Sequence, residues 1–84
     1  MLKKNMRKLT LDQPVTYQIK VPGELDERWA DWYGEMTVTI ESDRAGSPVT
    51  ILTVALDQAA LQSLLRRLYS LGVPLISAQL VESE

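Results

Sequence analysis

Residues Asp57 to Pro74 read DQAALQSLLRRLYSLGVP, and the fold turns on this stretch. Leu61, Leu64, Leu65, Leu68 and Leu71 recur at i, i+3, i+4, i+7 and i+10, the apolar stripe of an amphipathic helix. Gln62, Ser63, Arg66, Arg67 and Ser70 fall on the other face. Asp57 is suited to the N-cap, where a carboxylate accepts an orphan backbone N–H and meets the positive helix end. Gly72 suits the left-handed residue after the last turn, and Pro74 prevents continuation. Full burial of each leucine contributes roughly 1.5–3 kcal/mol before chain entropy is subtracted. The spacing therefore predicts the principal helix and most of the core.

The segments on either side read as short strands. Val15 to Val21 alternates strictly, with Val15, Tyr17, Ile19 and Val21 opposite Thr16, Gln18 and Lys20, and Pro22-Gly23 stops it. Met36 to Glu41 alternates again, followed by the turn-rich SDRAGSP of residues 42–48. In Val49 to Leu56 the neighbours Ile51 and Leu52 are both apolar. Leu52, Val54 and Leu56 are assigned to the helix side, as in a central strand buried on both faces. The last strand is expected over Leu75 to Val81, with Ile76, Ala78 and Leu80 toward the core. Between the first two strands, LDERWADWY places Leu25, Trp29, Trp32 and Tyr33 on one face of a short helix, about 12 Å long.

Strand, short helix, strand, strand, long helix, strand is the βαββαβ order of an α+β ferredoxin-like sandwich. It has a four-stranded antiparallel sheet with both helices on one face. Right-handed crossovers would put the first and third strands in the centre. The other face would carry Thr16, Gln18, Lys20, Thr37, Thr39, Val49, Ile51, Thr53, Leu75, Ser77, Gln79 and Val81. Such a threonine-rich face with an apolar centre suits hydration, a dimer surface or a ligand floor.

With 84 residues the chain is one small domain, expected over residues 14–82 behind a flexible basic arm at residues 1–13. Of nine basic residues, Lys3, Lys4, Arg7 and Lys8 lie within residues 1–11, while all eleven acidic residues lie after residue 11. The arm is read first as a solvated terminus and second as a contact for nucleic acid or an anionic surface. No apolar run approaches a membrane span, and no signal-peptide pattern follows the basic start, so a cytoplasmic protein is expected.

The chain contains no cysteine and no histidine. That removes Ser–His and Cys–His nucleophiles and the usual zinc ligand sets. No glycine-rich phosphate cradle occurs, and no cofactor is implied. A recognition-motif type of RNA-binding sheet needs exposed stacking aromatics, whereas the one strand aromatic, Tyr17, lies with the apolar set. These features favour a non-enzymatic, self-associating module that binds a protein or small effector, expected as a homodimer. The candidate partner surface is Trp29, Trp32 and Tyr33 with Arg66 and Arg67, since tryptophan is enriched at interfaces. Attachment through the basic arm is the alternative. A small lyase- or isomerase-type enzyme using Tyr17, Tyr33 or Tyr69 with a carboxylate stands third.

Two stretches, YQIKVPGELDERWADWYGEMTVTI and DQAALQSLLRRLYSLGVPLISAQLVE, resemble a widespread family of small, stand-alone bacterial proteins of unknown function. The resemblance covers about residues 15–82. It rests on Trp29, Trp32, Gly34, Asp57, Gln58, Leu61, Leu64, Leu65, Leu71, Gly72, Pro74, Leu75 and Ser77. Relatives often carry His-Gly where this chain has Gln62-Ser63. The family implies a domain and no reaction. More distantly, the helix, LG-x-P and strand succession is similar to the second half of ACT-type regulatory domains, which are ferredoxin-like and dimeric; this is an analogy of fold.

Overall fold

The computed structural model describes residues 9–25, 28 and 35–81. The expected short helix with Trp29, Trp32 and Tyr33, and the basic residues Lys3, Lys4, Arg7 and Lys8, lie outside these residues. The described elements are β1 (Val15–Pro22), β2 (Thr37–Ser42), β3 (Pro48–Leu56), α1 (Gln58–Ser70) and β4 (Ser77–Leu80). They form an α+β arrangement of one antiparallel sheet, in the order β2-β3-β1-β4, with one helix. The two-helix form of the βαββαβ expectation is thus not among the described elements.

β3 pairs antiparallel with both β1 and β2, and β1 pairs antiparallel with β4. Hence β1 and β3 occupy the centre. β3 and β4 run parallel with β1 between them, and α1 is the crossover that joins them. Side chains opposed across an antiparallel ladder share a face. Val38, Leu52, Ile19 and Ala78 form one row on the helix side, and Val54, Tyr17 and Leu80 form the next. Leu61, Leu64 and Leu68 of α1 are buried on these rows, in one cluster with Tyr17, Ile19, Val21, Met36, Leu52, Val54 and Leu56.

Local signals set the helix ends. Asp57 is extended, and its Oδ1 accepts the Ala60 N–H at 2.8 Å. At the other end the Gly72 N–H reaches the Tyr69 carbonyl at 3.0 Å, and the Val73 N–H reaches the Leu68 carbonyl at 2.9 Å. This paired motif needs a left-handed residue, and Gly72 supplies it with φ 76°. It also corrects the expected stripe. Leu71 is the C-cap, where the chain leaves the helix, so its side chain is 58% exposed, while Leu65 is only partly buried.

Two side-chain ties hold the layers in register. The Tyr17 hydroxyl accepts from Gln58 Nε2 at 2.6 Å, linking the sheet to the first turn of α1. Thr50 is fully buried on the helix side; its hydroxyl donates to the Gly23 carbonyl at 2.6 Å and accepts the Leu25 N–H at 3.0 Å. Gly23 also donates its N–H to the Pro48 carbonyl at 2.9 Å, so the chain leaving β1 is fastened to β3. In the β2–β3 hairpin, Asp43 Oδ1 accepts from the N–H groups of Ala45 and Ser47, both at 2.9 Å. This is the side-chain turn that the SDRAGSP composition implies.

β4 is shorter than expected. Lys20 is opposed by Ser77, yet its carbonyl also accepts the Ile76 N–H at 2.8 Å. Two successive residues facing one is bulge geometry. It starts the regular ladder at Ser77 and leaves Leu75 and Ile76 outside it.

Leu64→Ala is expected to lower unfolding free energy by about 2–5 kcal/mol, because it empties a fully buried position. Thr50→Val is expected to cost about 1–3 kcal/mol through the unpaired Gly23 carbonyl and Leu25 N–H. Urea titration of each variant measures both values.

Candidate functional site

Three surfaces have enough definition to bear a function. The first lies at the C-terminal end of α1 and along β4. From Leu68 to Val81 the sequence carries no charged residue. The exposed side chains along this run are Tyr69 at 84%, Leu71 at 58%, Leu75 at 49%, Ile76 at 54% and Leu80 at 38%. Leu65, Leu68, Tyr69, Val73, Pro74 and Leu75 enclose an apolar groove of about 260 Å³. The local cause is the helix cap: Gly72 and Pro74 turn the chain outward, and the bulge at Ile76 brings it to the sheet edge. α1 ends at Ser70, before it covers Leu71, Leu75 and Ile76. Tyr69 and Leu75 share that groove, and contiguous apolar exposure of this kind marks a contact surface.

The second surface is the sheet face away from α1. The register aligns Thr37, Thr53, Gln18 and Gln79 in one row, and Thr39, Ile51, Lys20 and Ser77 in the next. Every one of these belongs to the expected open-face set. Ile51 is nonetheless only 7% exposed. Its direct neighbours Lys20 and Thr39 flank it, and a lysine stem covers apolar surface while its ammonium stays wet. Near the Pro14 end of β1, Pro14, Thr16, Glu35, Thr37, Thr53 and Ala55 border an open depression of about 490 Å³. The small Ala55 side chain opposite Thr16 makes the hollow. Three threonine hydroxyls and the Glu35 carboxylate make its lining polar.

The third surface is the outer face of α1. Arg66 and Arg67 are both exposed there, beside Ser63, Ser70 and Leu71. Their expected companions Trp29, Trp32 and Tyr33 lie outside the described residues, as do the arm residues Lys3, Lys4, Arg7 and Lys8. Farther along, the Leu11 carbonyl accepts the Gln58 N–H at 3.1 Å, so the residues before β1 are tied to the start of α1.

Of the three alternative tyrosines of the enzymatic reading, Tyr33 lies outside the described residues. Tyr17 is buried with its hydroxyl bonded to Gln58, whereas Tyr69 projects from the far end of α1. Among the described residues no group of three or more His, Cys, Asp or Glu side chains could hold a metal ion. No helix among them is long and apolar enough to cross a membrane.

Sequence reasoning passed over the first surface, although its signal was readable: a run without charge that outlasts the helix stripe. It also left Gln58 without a structural role, which the bond to Tyr17 now provides.

A family model described as Domain of unknown function (DUF8691) matches residues 16–79, a span that takes in α1 and all of the sheet except its end residues Val15 and Leu80. No curated protein and no solved structure matches the chain significantly.

Ile51→Ala is expected to destabilise the protein by about 2 kcal/mol or more despite its position on the open face. Arg66→Ala should change stability by less than about 0.5 kcal/mol, as an exposed helix position does. Thermal and urea unfolding of the two variants separates the structural part of the surface from the part free to serve a partner.

Proposed function

We propose, for a chain that belongs to the DUF8691 family of domains of unknown function, a non-enzymatic interaction module that self-associates through the apolar end formed by α1 and β4. One observation carries this reading. Tyr69, Leu71, Leu75, Ile76 and Leu80 are all exposed on one uncharged run of chain. A second copy is the partner that this surface suits, because two neutral surfaces meet without like-charge repulsion or the desolvation of an unpaired charge.

The fold reading belongs to the same proposal. A sheet ordered β2-β3-β1-β4 with α1 between parallel strands suits a ferredoxin-like sandwich. Leu25 packs on the core and Met36 is buried in it, so the described residues at both ends of the β1–β2 connection meet the α1 side of the sheet. A short helix over residues 25–33 would complete the two-helix layer. Trp29, Trp32 and Tyr33, with Arg66 and Arg67, then form a second face for a protein or small effector. The basic arm with Lys3, Lys4, Arg7 and Lys8 supplies the alternative attachment to anionic polymers. The reading assigns the module to the cytoplasm.

The solution mass across a concentration series tests self-association. The expected species has twice the 9.5 kDa chain mass. Leu75→Asp and Ile76→Asp should return it to monomer with little change in melting temperature, since both residues are exposed. A wild-type protein that stays monomeric at every concentration overturns the proposal.

A further inference from the structure

We infer that two copies join edge to edge through β4, antiparallel about a twofold axis at Gln79, to make one eight-stranded sheet. The inference rests on the self-association proposed above and specifies its geometry.

The sheet has two free edges among the described residues, β2 and β4. They differ in the charges that natural proteins use to keep edges apart. β2 carries Glu41, follows Glu35 and runs into Asp43 and Arg44. β4 carries no charge, and neither do the residues before it back to Leu68; the nearest charge is Glu82, two residues past its end. β4 is therefore the edge left open to pairing.

Hydrogen-bond parity sets the register. The Val81 N–H reaches the Thr16 carbonyl at 2.8 Å, so Val81 directs its main-chain groups toward β1. In an antiparallel ladder this alternates. Gln79 and Ser77 also face β1, and the N–H and C=O groups of Ala78 and Leu80 point outward from the sheet. The Ile76 N–H is already used by Lys20. One register pairs all four outward groups of β4 with their own kind: Ala78 opposite the partner's Leu80, and Leu80 opposite the partner's Ala78. Gln79 then lies on the axis, opposite the partner's Gln79. Shifting the pairing to centre on Ala78 would ask Ile76 for an N–H that it no longer has.

The same register suits the side chains. On the open face the row Thr37, Thr53, Gln18 and Gln79 continues through the seam into its own mirror, entirely hydroxyl and amide. The two Gln79 amides can donate to and accept from each other. On the helix side, Leu80 comes beside the partner's Ala78. A four-residue strand pairing alone falls short of the roughly 1,200–2,000 Å² of a stable interface. The exposed Leu75 and Ile76 next to the strand, and Tyr69 and Leu71 at the helix end, provide apolar area for the rest.

The chain has no cysteine, so single introduced thiols report without background. Residues opposed in a non-hydrogen-bonded pair have Cα atoms about 4.5 Å apart, within disulfide reach. Gln79→Cys should oxidise to a reducible covalent dimer. Ser77→Cys should not, because Ser77 lies opposite the partner's Val81 and about 13 Å from its own copy. Thr39→Cys on β2 should also stay uncrosslinked. Gln79→Glu should shift the mass toward monomer, and added salt should restore the dimer. If the wild type is dimeric but Gln79→Cys does not cross-link, or Thr39→Cys does so instead, the β4 geometry is wrong while self-association stands. A monomeric wild type removes both.

Discussion

Three leucines of α1, Leu61, Leu64 and Leu68, seated on the apolar rows of β1 and β3, are the contact on which the rest of the molecule depends. The described sheet has one face rich in threonine and glutamine, and such a face does not order four short strands without a covered opposite side. α1 covers that side and, as the crossover from β3 to β4, leaves room for β1 between them. The burial that stabilises the core and the connection that sets the strand order are therefore the same element. With no disulfide available, the domain rests on this layer.

Much of this was legible in the sequence because the cues are local. Strict alternation placed Tyr17, Ile19 and Val21 on one side of their strand, and the pairing agrees. Asp57 and Gly72 announced the two ends of α1 through chemistry confined to a few residues. The facing of Leu52, Val54 and Leu56 was ambiguous in the sequence, since Ile51 is apolar too, and the pairing with Ile19 and Tyr17 decides it.

What was not legible depends on residues brought together from afar. Thr50 reads as an ordinary strand threonine until Gly23 and Leu25 are found against its hydroxyl. Ile51 reads as open-face apolar surface until Lys20 and Thr39 are found on either side of it. Leu71 fits the helical period, but a period continues past the point where hydrogen bonding stops. The shortening of β4 comes from a second N–H competing for the Lys20 carbonyl, and no local pattern announces such a competition. The candidate surface was missed for a related reason. The aromatic pair Trp29 and Trp32 drew the reading toward composition, whereas the surface with defined exposure is marked by missing charge.

The central position of β1 has a consequence for synthesis. β1 is the first of the described strands to leave the ribosome, yet Val15 waits for Leu56, and Tyr17 waits for Val54 on one side and Leu80 on the other. Because its partners lie far along the chain, β1 cannot be enclosed early, and the alternating VTYQIKV segment has no strand to pair with until β3 has been made. During that interval the nascent chain presents an unprotected strand of the kind that chaperones and neighbouring nascent chains engage.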